Sequence, residues 1–164
     1  MSKRQTYNVL IITIFALIGV YLFNKYKVAP KIDIVNLEVV DDASAKFDIK
    51  SLKGKKVIVS FYASWCPDCL KELKALNQIK NEKLSGVEVL AITDETMEKL
   101  ISFKAKKQYP FTFLKLSKSF NDLKIFSIPT VYLLNTKGEI VYEKVGYINW
   151  ENEAELLHLT SLMD

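Results

Sequence analysis

The stretch Ser60-Phe61-Tyr62-Ala63-Ser64-Trp65-Cys66-Pro67-Asp68-Cys69 holds the chain's 2 cysteines, with two residues between them. The β-prone apolar run Val57 to Tyr62 leads into it, and a helical pattern of Leu70, Leu73 and Leu76 leads out. Cys66 therefore falls at the first turn of a helix, where unpaired backbone N–H groups and the helix dipole favour negative charge. That position lowers a thiol's pKa and yields the thiolate, the nucleophile of disulfide exchange. Cys69 follows at i+3, on the same side of the helix and within bonding reach. A purely structural disulfide is the weaker reading, because closing so short a loop removes little chain entropy. Half of a zinc site is weaker still. Four ligands are wanted, and the chain adds 1 His and no further Cys. Strand, aromatic residue, Cys-x-x-Cys and helix in succession point to a redox-active pair that works without a metal or other cofactor.

A chain of 164 residues allows one domain plus an appendage. The net charge of +4 comes from residues 1–30, which carry Lys3, Arg4, Lys25 and Lys27 and no acid. The remainder is balanced, so nothing argues for nucleic-acid binding. Val9 to Phe23 is apolar apart from Thr13 and Gly19. With Tyr7 and Asn8 it approaches the ~20 residues that span a bilayer. Tyr21 and Tyr26 stand where an aromatic belt would. A cleaved signal peptide wants a small-x-small site, and Lys27 occupies the position two before Ala29. Residues 1–31 are therefore expected to be an uncleaved membrane anchor and tether, and residues 32–164 the globular domain. Lys25, Lys27 and Lys31 oppose Lys3 and Arg4 in the positive-inside count. A short N-terminal tail left inside would put the domain outside the cytoplasm.

Along the domain, Ile32 to Val40 alternates as a strand, Asp41 to Ser44 is a turn, and Lys46 to Asp48 a short return strand. Ile49 to Leu52 is a helical turn stopped by Gly54. Val57 to Tyr62 has the continuous apolar character of a central strand. A helix is expected over 67–81, a strand over 87–93, a helix from Asp94 or Thr96 to Lys107, and an extended stretch over 111–116. Phe120 to Phe126 reads as a helical turn or two. Ile128 to Leu134 is a strand opened by Pro129, 135–138 a hairpin turn, 139–145 the returning strand, and Asn149 or Glu151 starts a closing helix. This is an α/β order giving a mixed central sheet with helices on both faces and an N-terminal hairpin extension.

On a helical wheel with Cys66 at zero and ~100° per residue, Leu70, Leu73, Leu76 and Ile79 form one apolar arc. Lys71, Lys74 and Gln78 form the wet face. Glu72 falls between Leu76 and Ile79, one turn beyond Cys69. It either lies on the flank and reaches solvent, or it is a partly buried acid with a raised pKa that exchanges protons with Cys69.

This order, with Trp65-Cys66-Pro67-Asp68-Cys69 and Ile128-Pro129-Thr130, resembles the thioredoxin superfamily from about Ile34 to the C-terminus. The resemblance implies that Pro129 is cis and faces the cysteines, with Trp65, Ile128 and Pro129 meeting substrate. Ser60 stands where thioredoxin has a buried Asp, and the stretch between Thr93 and Ile128 is longer than in compact thioredoxin. Both features look like the branch of membrane-anchored, extracytoplasmic thiol-disulfide oxidoreductases, some of which reduce apocytochrome c. That branch places a Glu three residues after the second Cys, which Glu72 matches. Pro67 and Asp68 tune the pair without settling the direction of electron flow.

The resemblance implies a protein-disulfide reductase with Cys66 as nucleophile, Cys69 as resolving thiol and Glu72 as proton acceptor. Its partners would be a disulfide-bearing protein and a transmembrane electron donor, with the domain on the outer face of the membrane. A disulfide oxidase or isomerase with the same site is the nearest rival. A peroxidase of the same fold would need Thr three residues before the nucleophile, where Ala63 stands. A copper-binding module would need a distal His, and the sole candidate is His158 in the last helix.

Overall fold

The computed structural model describes residues 3–164, and Met1 and Ser2 of the expected anchor lie outside the described residues. Helix α1, Lys3–Lys27, is apolar around its whole circumference and leaves those side chains uncovered by protein. Over Arg4–Lys27 it is long and apolar enough to cross a membrane, with a mean hydropathy of 2.1 in its most apolar 18-residue stretch. A helix of that kind is stable only in apolar surroundings.

The rest forms a seven-stranded sheet. Its strands are β1 (Val39–Val40), β2 (Lys46–Phe47), β3 (Lys56–Phe61), β4 (Val87–Thr93), β5 (Thr112–Leu116), β6 (Thr130–Leu134) and β7 (Ile140–Val145). Three helices join them: α2 (Pro67–Ile79), α3 (Met97–Lys107) and α4 (Glu153–Ser161). The strand order is β2-β1-β5-β4-β3-β6-β7. Strands β3, β4 and β5 run parallel and the other pairs antiparallel.

The crossovers β3–α2–β4 and β4–α3–β5 step in one direction across the sheet, so right-handed connections put both helices on one face. There Leu73 and Leu76 of α2, Leu100 and Phe103 of α3 and Leu156 and Leu159 of α4 pack on Ile58, Val89, Val131 and Leu133. The opposite face, built on Val59, Phe61, Leu90, Ile92 and Tyr132, is covered by Ala29, Ile34, Ile49 and Ile125. Short 3-10 turns at Ile34–Asn36 and Ile49–Leu52 supply part of that cover.

Four stretches differ from expectation. Ile32 to Val40 is not one strand. Asn36 donates a side-chain hydrogen bond of 2.7 Å to Asp33, the chain turns, and buried Ile34 drops onto the sheet, leaving only Val39–Val40 extended. Phe120 to Phe126 forms linked turns rather than a helix. The Asp122 carboxylate accepts the Ser119 N–H, and Lys124 adopts a left-handed φ of 60° that ends any helical run. The strand expected from Ile128 begins at Thr130, because Pro129 has no N–H to give a ladder. The tether expected over Asn24 to Lys31 is also shorter: α1 continues to Lys27, Ala29 is already buried, and Tyr132 Oη donates to the Pro30 carbonyl at 2.6 Å.

Candidate active site

Strand β3 ends at Phe61, and a tight loop carries the chain to Cys66, which caps the N-terminus of α2. Pro67 follows at the first helical position, where a missing N–H costs nothing. Cys66 and Cys69 form a disulfide with Cα atoms 5.3 Å apart. The Cys69 N–H points at Cys66 Sγ from 3.2 Å, so the exposed end of the helix faces the sulfur that would carry negative charge on reduction. Cys66 keeps 5% exposure and Cys69 has none, so an incoming disulfide meets Cys66.

Across from the sulfurs the Ile128–Pro129 peptide is cis. The Ile128 carbonyl oxygen lies 3.8 Å from Cys66 Sγ. Since the β6 ladder starts at Thr130, the Ile128 peptide lies outside it. A cleft of about 530 Å³ runs between these walls, lined by Trp65, Cys66 and Asp68 on one side and by Phe120, Phe126 and Ile128 on the other. Trp65 is 69% exposed at its rim.

Glu72 is fully buried, inside the apolar arc and away from the solvated flank. Its Oε1 accepts the Ser60 hydroxyl at 2.9 Å and its Oε2 the Ile148 N–H at 3.1 Å. Burial pushes its pKa up to about 7, against the pull of those two hydrogen bonds and of the Lys144 charge. A carboxyl that titrates near neutrality thus sits one helical turn from the buried thiol. Asp68 is exposed on the first turn of α2 and His158 is exposed on α4.

Two acids following β4 hold the cleft walls, and neither is evident from sequence. Glu95 accepts the Ser64 N–H at 2.5 Å and the Ser64 hydroxyl at 2.9 Å, with Lys99 at 3.2 Å. It clamps the loop that carries Trp65 and Cys66. Asp94 accepts the Phe120 N–H at 2.8 Å and fixes the opposite wall. That Ser60 and Ile148 both meet Glu72 is likewise found only by folding the chain. The one available signal was Ser60 itself, a polar residue inside an otherwise apolar central strand.

A central sheet, a Cys-x-x-Cys disulfide at the N-terminus of a helix and a cis-proline opposite it define a thioredoxin-like thiol-disulfide oxidoreductase. A family model described as the AhpC/TSA family matches residues 28–143, and the chain belongs to that family. Thiol-disulfide oxidoreductase ResA of Bacillus cereus is 27% identical over 155 residues, covering 88% of this chain and 90% of that protein. Thioredoxin-like protein YneN of Bacillus subtilis is 27% identical over 170 residues, covering 97% and 99%. Among solved structures, StoA from Bacillus subtilis superposes with a TM-score of 0.60 at 27% identity, over 78% of this chain and 99% of that one.

Proposed function

We propose that the protein reduces disulfides in extracytoplasmic proteins, apocytochrome c among the candidate substrates, from an N-terminal membrane anchor. In the reduced enzyme the Cys66 thiolate attacks one sulfur of the substrate disulfide. The substrate S–S bond breaks, a mixed disulfide with Cys66 forms, and the other substrate sulfur leaves as a thiolate that takes a proton. Cys69 then gives its proton to the Glu72 carboxylate and attacks Cys66 Sγ, which frees the second substrate thiol and closes the Cys66–Cys69 bond. The two electrons left in the substrate are restored to the enzyme by a transmembrane dithiol donor. Trp65, Ile128 and Pro129 receive the substrate chain, and Pro67 and Asp68 tune the pair.

The observation that carries this reading is Glu72: a fully buried carboxyl with a pKa near 7, one turn from a fully buried thiol. A buried thiol cannot lose its proton to water. A neighbouring base matched to neutral pH is what its activation requires. A negative Glu72 also disfavours the Cys69 thiolate and hence the reduced state, which moves the couple towards a reductant. The relatives' names support the oxidoreductase class, and α1 supports the anchor. The test is the midpoint potential of the Cys66–Cys69 couple against glutathione. A value well below that of glutathione supports the reductase, and a value well above it assigns the oxidase instead.

A further inference from the structure

Helix α1 does not lead away from the domain on a free linker. Its last turn is seated on the rim of the active-site cleft. The Tyr26 ring meets the Phe126 ring edge-on at 6.3 Å, and the Lys25 ammonium lies 4.8 Å from the centre of the Phe126 ring. Helix α1 also lies against β7. Two residues beyond the helix Ala29 is buried, and at the next position the Pro30 carbonyl is bonded to Tyr132. The helix end is thus pinned on both sides of Val28. Phe126 is itself a wall of the cleft that holds Cys66.

The apolar run ends at Phe23, three residues before Tyr26. At ~1.5 Å per helical residue, Tyr26 stands only about 5 Å above that end. The polar layer on each side of a bilayer is on the order of 5–8 Å thick. With α1 upright in a bilayer, Phe126, whose ring centre is 6.3 Å from that of Tyr26, falls in or beside that layer. The aromatic residues on this rim are the ones the domain leaves uncovered, with Trp65 69% and Phe126 39% exposed. Exposed Trp beside Lys and Tyr is the composition of a membrane interface.

We infer that the cleft rim, Trp65 and Phe126, docks on the headgroup layer of the membrane that holds α1, so that the Cys66 site works at the bilayer surface. This rests on the reading of α1 as an anchor, and it narrows the partner class. Disulfides and dithiols presented at the membrane surface reach Cys66 ahead of those carried by freely diffusing proteins.

The test uses the full chain, labelled with 5-fluorotryptophan and reconstituted in phosphatidylcholine–phosphatidylglycerol nanodiscs with a headgroup spin label. Fluorine spectra give one resonance for exposed Trp65, assigned with Trp65→Phe, and one for Trp150, buried in the core as an internal control. Docking predicts loss of the Trp65 resonance with Trp150 retained. If the chain is embedded in the nanodisc and both resonances persist, docking is overturned and the anchor stands. If the chain does not co-purify with the nanodisc, the anchor reading fails and docking with it. A ten-residue Gly-Ser insertion between Lys27 and Val28 should restore the Trp65 resonance. Persistent loss there contradicts the claim that the seated helix end holds the rim down.

Discussion

The Ser60 hydroxyl donates a 2.9 Å hydrogen bond to Glu72 Oε1, joining the central strand to the catalytic helix through a buried carboxyl. With the Ile148 N–H on the other oxygen, both acceptors are occupied, yet burial still holds the pKa near 7. The consequence for stability has a definite sign. The native state keeps the Glu72 proton to higher pH than the unfolded chain, so stability is greatest below the ordinary value of 4.5 and falls as pH rises through about 7. The loss is roughly 3 kcal/mol at one pKa unit per ~1.4 kcal/mol. Urea unfolding between pH 4.5 and 8 should show that slope. Glu72→Gln should flatten it, since an amide can accept from Ile148 and donate to Ser60.

Ser60→Ala should leave Glu72 Oε1 without its donor. We expect a loss of about 1–3 kcal/mol in denaturant unfolding, the usual cost of a buried group left unpaired. The Glu72 titration, followed by infrared absorption of the carboxyl, should move to higher pH because a hydrogen bond to the charged form has gone.

The exposures of the two sulfurs set the order of attack. In the reduced protein Cys66 should alkylate faster than Cys69, and Cys69→Ala should trap substrates as mixed disulfides. Mass spectrometry of briefly iodoacetamide-treated protein reads the first, and diagonal gels read the second. Equal rates, or trapping by Cys66→Ala alone, would reverse the assignment.

Glu95→Ala should release Ser64 and loosen the Trp65–Cys66 loop. Two hydrogen bonds to a carboxylate that is 7% exposed disappear. We expect roughly 2–4 kcal/mol of destabilisation and a Trp65 side chain that reorients faster, read by fluorescence anisotropy against the Trp65→Phe background. Glu95→Gln, which can still accept one of the two bonds, should lie between.

Much of this was readable from local pattern. The run Val57 to Tyr62 has the continuous apolar character of a central strand, and β3 forms over Lys56–Phe61. Pro67 with the Leu70, Leu73, Leu76 spacing reads as a helix, and the wheel places Glu72 between Leu76 and Ile79, leaving open whether it is buried or on the flank. What sequence could not give depends on contacts between distant positions. The Ile148 N–H that meets Glu72 is 76 residues away, and the Ser64–Glu95 clamp spans 31. Phe120 to Phe126 has helix-like spacing, but Asp94 takes the Phe120 N–H and Lys124 turns left-handed, so tertiary contacts override the local preference. Ile32 to Val40 alternates like a strand, yet the chain turns at Ile34–Asn36 and buries Ile34 on the sheet face.

The central claim is that Glu72 governs the chemistry of the buried thiol, and the most direct measurement is the titration of both thiols, with the midpoint potential, in wild type and Glu72→Gln. The account predicts a wild-type Cys66 pKa closer to the free value of ~8.5 than to the acidic end of the known range. It predicts that Glu72→Gln lowers the Cys69 pKa, raises the potential and flattens the pH dependence of activity. Unchanged thiol titrations and an unchanged potential in Glu72→Gln would contradict it, and a wild-type Cys66 titrating below about pH 5 would assign the protein to the oxidases.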